Sequence, residues 1–501
     1  MLIDKKSLKA KYDIVIVGAG IAGLTLARNL VINDKNKILL IEAGGLKYNY
    51  QTNKDSYAIS KFLGNWPVKN YSSYFSRLRI LGGNSHVWGG WCMELDDYDF
   101  ANNEVWKYHE KELKKHYKKA YKILNIEKQE IENSTLDFKE LIPYSINIAS
   151  GNFVKESLED LIKNPKIDVV LNTKLSKINF DQSHVASIMV KDKNNDITNI
   201  ELNKLVLSTG GIETTKILLD QLPSKFQSPS LGKYFMEHPQ IQIGRLITKD
   251  KKFIKYINDF SPPTIKHLFD DKLELTSKKH FSGFRNKNST SRNYFVLRTS
   301  NVYQSRSLYR LRHIILTRSL FSTGKIKFND IWSLISDIVD MFLKKIQNVF
   351  NKHKSFSIVV HLEQFPHEGN SISFDENSNL VLKWQLKDSD IKNFKDTLNE
   401  ITNIFNKRNE SKIIIHKDFT GDDVSMVRYL SENLFGIGHH MGSTKMGLNK
   451  KTSVCDLDFK VHEISNLYLN TSSIFPTGGI ANPTLTLLAL SSMLAEKLNH
   501  E

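Results

Sequence analysis

Glycines and histidines are the residues in this chain whose types and spacing can do chemistry. Gly18-Ala19-Gly20-Ile21-Ala22-Gly23 follows directly on an apolar, β-branched run at 13–17. Leu24, Ala27 and Leu30 then continue at helical spacing. A second apolar run, Ile38-Leu39-Leu40-Ile41, ends at Glu42, 24 positions beyond Gly18. This order of strand, glycine turn, helix, strand and acid is a dinucleotide cradle. Gly18 permits the tight turn, Gly20 lets backbone approach a pyrophosphate at the helix N-terminus, Gly23 lets helix and strand pack closely, and Glu42 can hold a ribose hydroxyl. The unit by itself leaves NAD and FAD open.

Glycine-rich segments return later in the chain. Leu81-Gly82-Gly83-Asn84-Ser85-His86-Val87-Trp88-Gly89-Gly90-Trp91 is too rich in Gly and Trp for a core strand. Residues 205–213 read as a strand running into Gly210-Gly211 and then a helix, and Leu231-Gly232-Lys233-Tyr234-Phe235-Met236-Glu237-His238-Pro239 follows. Near the end stand His439-His440-Met441-Gly442-Ser443-Thr444-Lys445-Met446-Gly447 and Phe475-Pro476-Thr477-Gly478-Gly479-Ile480-Ala481-Asn482-Pro483-Thr484-Leu485-Thr486. Histidine titrates near neutrality, which suits it to move a proton in a reaction. Asn482 ahead of Pro483 and an apolar helix (Leu485, Leu488, Leu494, Leu498) also suits a helix N-cap.

Taken together and in this order, these segments resemble the glucose–methanol–choline (GMC) oxidoreductase family of FAD enzymes. The likeness runs from about residue 12 to 498 and is patchy between about 245 and 355. The histidine and Phe475–Thr486 segments are most similar to its sugar-oxidising branch, the fructose dehydrogenase- and pyranose oxidase-like enzymes.

The resemblance implies an oxidoreductase that moves hydride from the CH–OH group of a sugar or sugar-like, even glycan-linked, substrate to flavin N5. It makes His439 the base, as the first histidine of an H-x-x-G segment, and Asn482 its catalytic partner. FAD contacts fall to Gly18, Gly20, Gly23, Glu42, Gly82, Gly83, Asn84, Ser85, Val170, Gly210, Thr471, Ser472, Pro483 and Thr484. In the sugar branch a histidine just before the tryptophan can bond to FAD covalently. Here Val87 holds that position and His86 sits one residue early, so non-covalent FAD is expected. His361 and Glu363 fall in a segment similar to the family's substrate-domain sheet. Glu363 reads either as a pocket residue or as a sheet-surface carboxylate, and His238 either as a pocket wall or as a packed structural histidine. No acid stands in the strand before Phe475, where the family often has one.

The elements that must position these residues make an α/β chain, α+β overall. It has a discontinuous, Rossmann-like FAD-binding domain (1–90, 150–240 and 435–501) and a substrate-binding domain (91–149 and 241–434) on a mostly antiparallel sheet, with a sheet near 356–385. Trp106, Leu113, Tyr117, Ala120 and Leu124 have the spacing of a helix beside the pocket.

Composition bounds the function. The 501 residues, 40% hydrophobic and 10% aromatic, can bury two or three cores, which excludes a disordered scaffold. Lys+Arg 70 against Asp+Glu 54 leaves +16, but the lysines are scattered, so nucleic acid is not expected as a partner. Cys92 and Cys455 are too few for a disulfide framework and lack metal-ligand spacing, so no metal is expected. No run approaches the roughly 18 apolar residues of a membrane span, and the N-terminus reaches a strand without an apolar leader, which predicts a cytoplasmic protein.

Segment 306–354 carries a basic cluster and an amphipathic pattern, Ile331 to Val349. It suits either packing on the substrate domain or peripheral contact with an anionic membrane. The electron acceptor is expected to be separate: oxygen, a quinone or a redox protein. Two rival readings remain, a sterol or aliphatic-alcohol oxidase or dehydrogenase of the same family, and a basic membrane- or nucleic-acid-binding protein with a vestigial flavin fold.

Overall fold

The computed structural model describes residues 2–3, 7–30, 36–54, 59–66, 76–131, 140–149, 153–162, 164–262, 279–287, 289, 291–298, 339, 354–435 and 438–500. Segment 306–354, apart from Val339 and Lys354, lies outside them.

The first sheet has four strands in parallel order: Ile167–Val170, Ile38–Ile41, Lys11–Val17 and Ile197–Leu207. Apolar runs such as Ile38–Ile41 suit parallel strands because both faces are covered, and all four residues of that strand are buried. The long strand Ile197–Leu207 changes partner along its length. Its first half pairs antiparallel with His184–Asp192, which pairs in turn with Thr173–Asp181, and its last residues pair in parallel with Leu467–Leu469. Helix Ile21–Leu30 packs against the C-terminal helix Pro483–His500, which packs against Glu104–Ile123. The C-terminal helix is apolar round most of its girth because it is buried between these neighbours: Leu485, Leu488, Ala489 and Leu494 are fully buried.

The second sheet is antiparallel throughout. It runs Ser411–Ile415, Gln240–Thr248, Lys354–His361, Tyr294–Arg298, His280–Asn286, Leu141–Ile148 and Trp91–Cys92. Its middle strands separate two cores. Tyr294, Val296 and Val359 face the core of the first sheet, while Phe295, Leu297, Ile358 and Val360 face a second core closed by Phe394, Leu398, Ile401 and Phe405 of helix Asp388–Asn406. Such strands are apolar on both faces, so alternation is hidden in the sequence and only the register reveals it.

Residues 356–385 do not form one sheet. Lys354–His361 lies in the second sheet, whereas Leu380–Trp384 joins Ser371–Phe374 and Ile59–Gly64 in a separate three-stranded sheet. The Trp106-to-Leu124 pattern is a helix, Glu104–Ile123, N-capped by Asn103 Oδ1, which accepts from the Val105 and Trp106 N–H groups.

Candidate active site

The glycine turn is built by exclusion. Gly18 has φ +102, and a Cβ there would lie 2.5 Å from the Ser208 carbonyl oxygen; one on Gly23 would lie 1.9 Å from the Gly18 oxygen. Gly20 is the opposite case, with nothing within 4 Å of its would-be Cβ, so its open side belongs to the cavity. The second glycine segment stacks on the first: Gly82 N–H donates to the Ala19 oxygen at 2.8 Å, and Gly20 and Gly82 form a parallel bridge. Glu42 accepts from Ala19 N–H at 3.0 Å and from Gly44 N–H at 2.8 Å, one on each oxygen, and each oxygen keeps a lone pair. Burial pushes its pKa up to about 7 against these N–H bonds.

These parts line one cavity of about 940 Å³, near the top of the usual range for ligand sites. Its wall brings together Gly18, Gly20, Glu42, Gly83, Asn84, Ser85, Gly210, Thr471, Ser472, Pro483 and Thr484 and, from the candidate catalytic pair, both His439 and Asn482. Gly23, Gly82 and Val170 stand behind it. The Val170 side chain is buried and its carbonyl accepts from Glu42 N–H at 2.9 Å, while Thr173 reaches the wall. Several polar side chains of the wall brace loops. Asn84 donates to the Ser76 carbonyl and accepts from Leu78 N–H, Ser85 Oγ donates to the Gly82 carbonyl, and Ser472 Oγ donates to the His440 carbonyl at 2.8 Å. Thr471 Oγ1 pairs with Ser473 Oγ. Asn470 donates to Ala22 O and Ser208 Oγ, both at 3.1 Å, and so ties its segment to the cradle.

At the other end the second sheet faces the cavity. Register puts Gln240, His361 and Tyr294 side by side across three strands, and Arg298 follows Tyr294 on the same face. Arg298, Gln240, Trp91 and His439 reach the wall. Just behind, His238 meets the His439 ring edge-on at 5.3 Å, and His361 stacks on Tyr294 with its Nδ1 3.0 Å from the tyrosine hydroxyl. Burial holds His238 down to about 4. Burial with neighbouring histidines holds His439 well below its usual value, and burial with Arg298 and those histidines does the same to His361. All three are therefore neutral at neutral pH. His440 also borders the cavity, but its ring packs on Phe235 and its Nε2 lies 3.5 Å from Glu237 Oε1.

Three groups escaped the sequence reading. Arg77, ion-paired to Glu213 in the first turn of helix Gly211–Gln221, lines the cavity. Glu237 is fully buried, and its only sequence signal was a lone acid after Tyr234-Phe235-Met236. Arg292, about 1% exposed, sits among Asp96 at 3.0 Å, Asp99 at 2.9 Å and Glu363 at 2.9 Å, under the Tyr98 ring. Glu363 is thus neither a pocket residue nor a surface carboxylate. Nothing in the local sequence marks that cluster, whose members are up to 267 positions apart.

Residues 366–491 match the family described as GMC oxidoreductase. An 84-residue stretch is 34% identical to the fructose dehydrogenase large subunit of Gluconobacter japonicus, covering 17% of this chain and 15% of that protein. A 119-residue stretch is 31% identical to an oxygen-dependent choline dehydrogenase of Photobacterium profundum, covering 21% of each. A 64-residue stretch is 38% identical to a C-glycoside 3-oxidase of Arthrobacter globiformis, 13% of this chain and 12% of that one. The aligned stretches thus span about a fifth of those relatives or less.

The fold matches over almost the whole chain. A pyridoxine 4-oxidase from Mesorbium loti superposes with a TM-score of 0.61 at 14% identity, covering 98% of this chain and 99% of that one. An Aspergillus oryzae formate oxidase superposes with a TM-score of 0.59 at 14% identity, covering 98% of each. Residues 366–491 thus carry the GMC oxidoreductase pattern, and the chain as a whole shares the fold of these two oxidases.

FAD is the cofactor of GMC oxidoreductases, and the residues present fit it. The open side of Gly20, the helix start beside it and the lone pairs of Glu42 form a cradle for a dinucleotide. Among the described residues, no group of three His, Cys, Asp or Glu is placed to hold a metal ion, and no helix is long and apolar enough to cross a membrane.

Proposed function

We propose that this GMC oxidoreductase, with non-covalent FAD, oxidises a CH–OH group of a sugar or sugar-like alcohol, His439 taking the hydroxyl proton and Asn482 holding the oxygen. One observation carries the reading: His439 and Asn482, 43 positions apart, line the same cavity as the glycine cradle and Glu42. Bound FAD supplies the hydride acceptor. His439, neutral because it is buried beside His238 and His440, is in the form that accepts a proton. Asn482 immediately precedes the C-terminal helix, whose positive N-terminal end favours the alkoxide character that develops as the proton leaves.

Support for non-covalent cofactor comes from His86, whose Nε2 lies 2.8 Å from the Leu81 carbonyl and whose ring is not part of the cavity wall, whereas Val87 is. Support for a sugar comes from two relatives, a fructose dehydrogenase and a C-glycoside 3-oxidase. The choline dehydrogenase likeness favours a second reading, a small non-sugar alcohol, at the same site. The electron acceptor is a separate molecule, and the proposed location is the cytoplasm.

The test is an absorption spectrum before and after acid precipitation, followed by anaerobic titration with sugar and non-sugar alcohols. Flavin released to the supernatant and then bleached by a sugar is the expected outcome. Flavin kept in the pellet removes the non-covalent reading, and bleaching only by non-sugar alcohols removes the sugar. In His439→Ala, flavin is retained and its reduction slows by about 10²–10⁴-fold; undiminished reduction takes His439 out of the role.

A further inference from the structure

The segment carrying His439 runs antiparallel to the one carrying His238, and the two are joined at both ends. Met236 and Met441 exchange N–H···O bonds of 2.9 and 3.1 Å, and Gln240 and Phe435 exchange bonds of 2.8 and 3.0 Å. Between these bridges one side has three residues, 237–239, and the other has five, 436–440. A regular ladder cannot pair three residues with five, and the described N–H groups of Gly438 and His439 find their partner elsewhere. Glu237 meets both: its Oε2 accepts from Gly438 N–H at 2.9 Å and from His439 N–H at 2.7 Å. Its other oxygen lies 3.5 Å from His440 Nε2.

We propose that Glu237 is the positioning residue for His439, its carboxyl group replacing the absent strand partner and holding the Gly438–His439 backbone at the cavity wall. The inference rests on the reading of His439 as the base. Glu237 does not line the cavity, so it acts through the backbone of His439 and not on substrate or cofactor. A fully buried carboxyl is costly to retain, and burial pushes its pKa up to about 8 against the N–H bonds it accepts. The groups facing it are His238, whose backbone N–H also stabilises its charge, His439, and His440 at 3.5 Å, with Arg77 beyond His440. Its shortest hydrogen bonds are those from the Gly438 and His439 N–H groups.

Glu237→Gln and Glu237→Leu separate this role from bulk packing. Glutamine keeps an oxygen that can accept both N–H bonds and presents an N–H toward His440, whereas leucine keeps only the volume. Two readouts on flavin-loaded protein decide. The first, residue-resolved hydrogen–deuterium exchange, needs no substrate: the Gly438 and His439 amides are expected to exchange at least tenfold faster in Glu237→Leu and within threefold of wild type in Glu237→Gln. Equal exchange in wild type and Glu237→Leu overturns the proposal.

The second is anaerobic flavin reduction by the best alcohol. Glu237→Leu is expected to lower the limiting rate by about a hundredfold with the half-saturating concentration within threefold, and Glu237→Gln to recover most of that rate. An unchanged limiting rate in Glu237→Leu, or glutamine as slow as leucine, overturns the positioning role. If Glu237→Leu does not fold, Glu237→Asp, whose carboxyl is withdrawn by one methylene, takes its place. Should no alcohol reduce the wild-type flavin, the reading of His439 fails, while the exchange comparison still decides whether Glu237 holds this backbone.

Discussion

The two ends of the cavity are built on different physics. The cradle end is made of backbone: glycines packed against carbonyls, a helix start and one carboxylate held by two N–H groups. The histidine end is made of side chains from strands and loops far apart in sequence, and it is backed by buried ionisable groups: His238, His361, Glu237 and the Arg292 cluster. Sterics govern the first and desolvation governs the second. A methyl group in the wrong place should therefore break the cradle, whereas the histidine end should yield to lost charge partners and to pH.

The largest expected effect is in the Arg292 cluster. Arg292→Met strands Asp99 and Glu363 in the interior and leaves Asp96 paired with Arg285, and removing one partner of a buried ion pair costs about 3–5 kcal/mol. Burial, with Asp96 alongside, pushes Asp99 up to about 8, and burial pushes Glu363 up to about 7 against the pull of Arg292. An acid whose folded pKa is raised binds more protons folded than unfolded, so its contribution to stability falls as pH rises from the unfolded value to the folded one. Losing the pull of Arg292 raises both folded values further, so wild type and variant lose stability in parallel up to about pH 7 and the Arg292→Met deficit from these two acids should grow above it. Urea titrations at several pH values check this, and a deficit independent of pH would contradict it.

Gly23→Ala comes next. Its methyl meets the Gly18 carbonyl at 1.9 Å, and the overpacking should cost about 3 kcal/mol in a urea midpoint, with no pH dependence. Gly20→Ala sharpens the contrast within the same turn. Its methyl meets no protein atom, so stability should stay within about 1 kcal/mol of wild type while the flavin dissociation constant rises at least about tenfold. Equal loss of stability in both variants would mean that the open side of Gly20 does not face the cofactor.

The smallest expected effect is at Trp106→Phe, which removes the 2.8 Å hydrogen bond from Nε1 to Thr477 Oγ1 beside the Gly478-Gly479 turn. A loss of about 1 kcal/mol is expected in the same urea assay.

How legible each end was follows from the same difference. The strand, glycine turn, helix and acid of the cradle lie within 30 residues, and each residue type answers a local backbone demand, so spacing in the chain carries the information. At the histidine end, His439 and Asn482 stand out only through the resemblance, and Glu237 looks like one more acid beside a histidine. Strand Tyr294–Arg298 is buried at every position, so no alternation shows which side chains face the cavity. The strands expected near 356–385 divide between two sheets for a related reason: pattern identifies a strand but not its partner, and Leu380–Trp384 pairs in parallel with Ile59–Gly64, more than 300 positions away.

The sequence by itself determined the parallel core, the glycine turns, the C-terminal helix and, through motifs in a common order, the resemblance to GMC oxidoreductases. Those features are set by local sterics and by short-range periodicity, which one chain displays. Tertiary structure alone decided that His361 and Tyr294 stand beside His238 and His439, that Glu363 serves Arg292, and that a carboxyl group fills the gap between segments of three and five residues. These are consequences of register and burial: a buried charge or an unpaired N–H group takes whatever partner the fold brings near, and its distance along the chain does not enter into the energy.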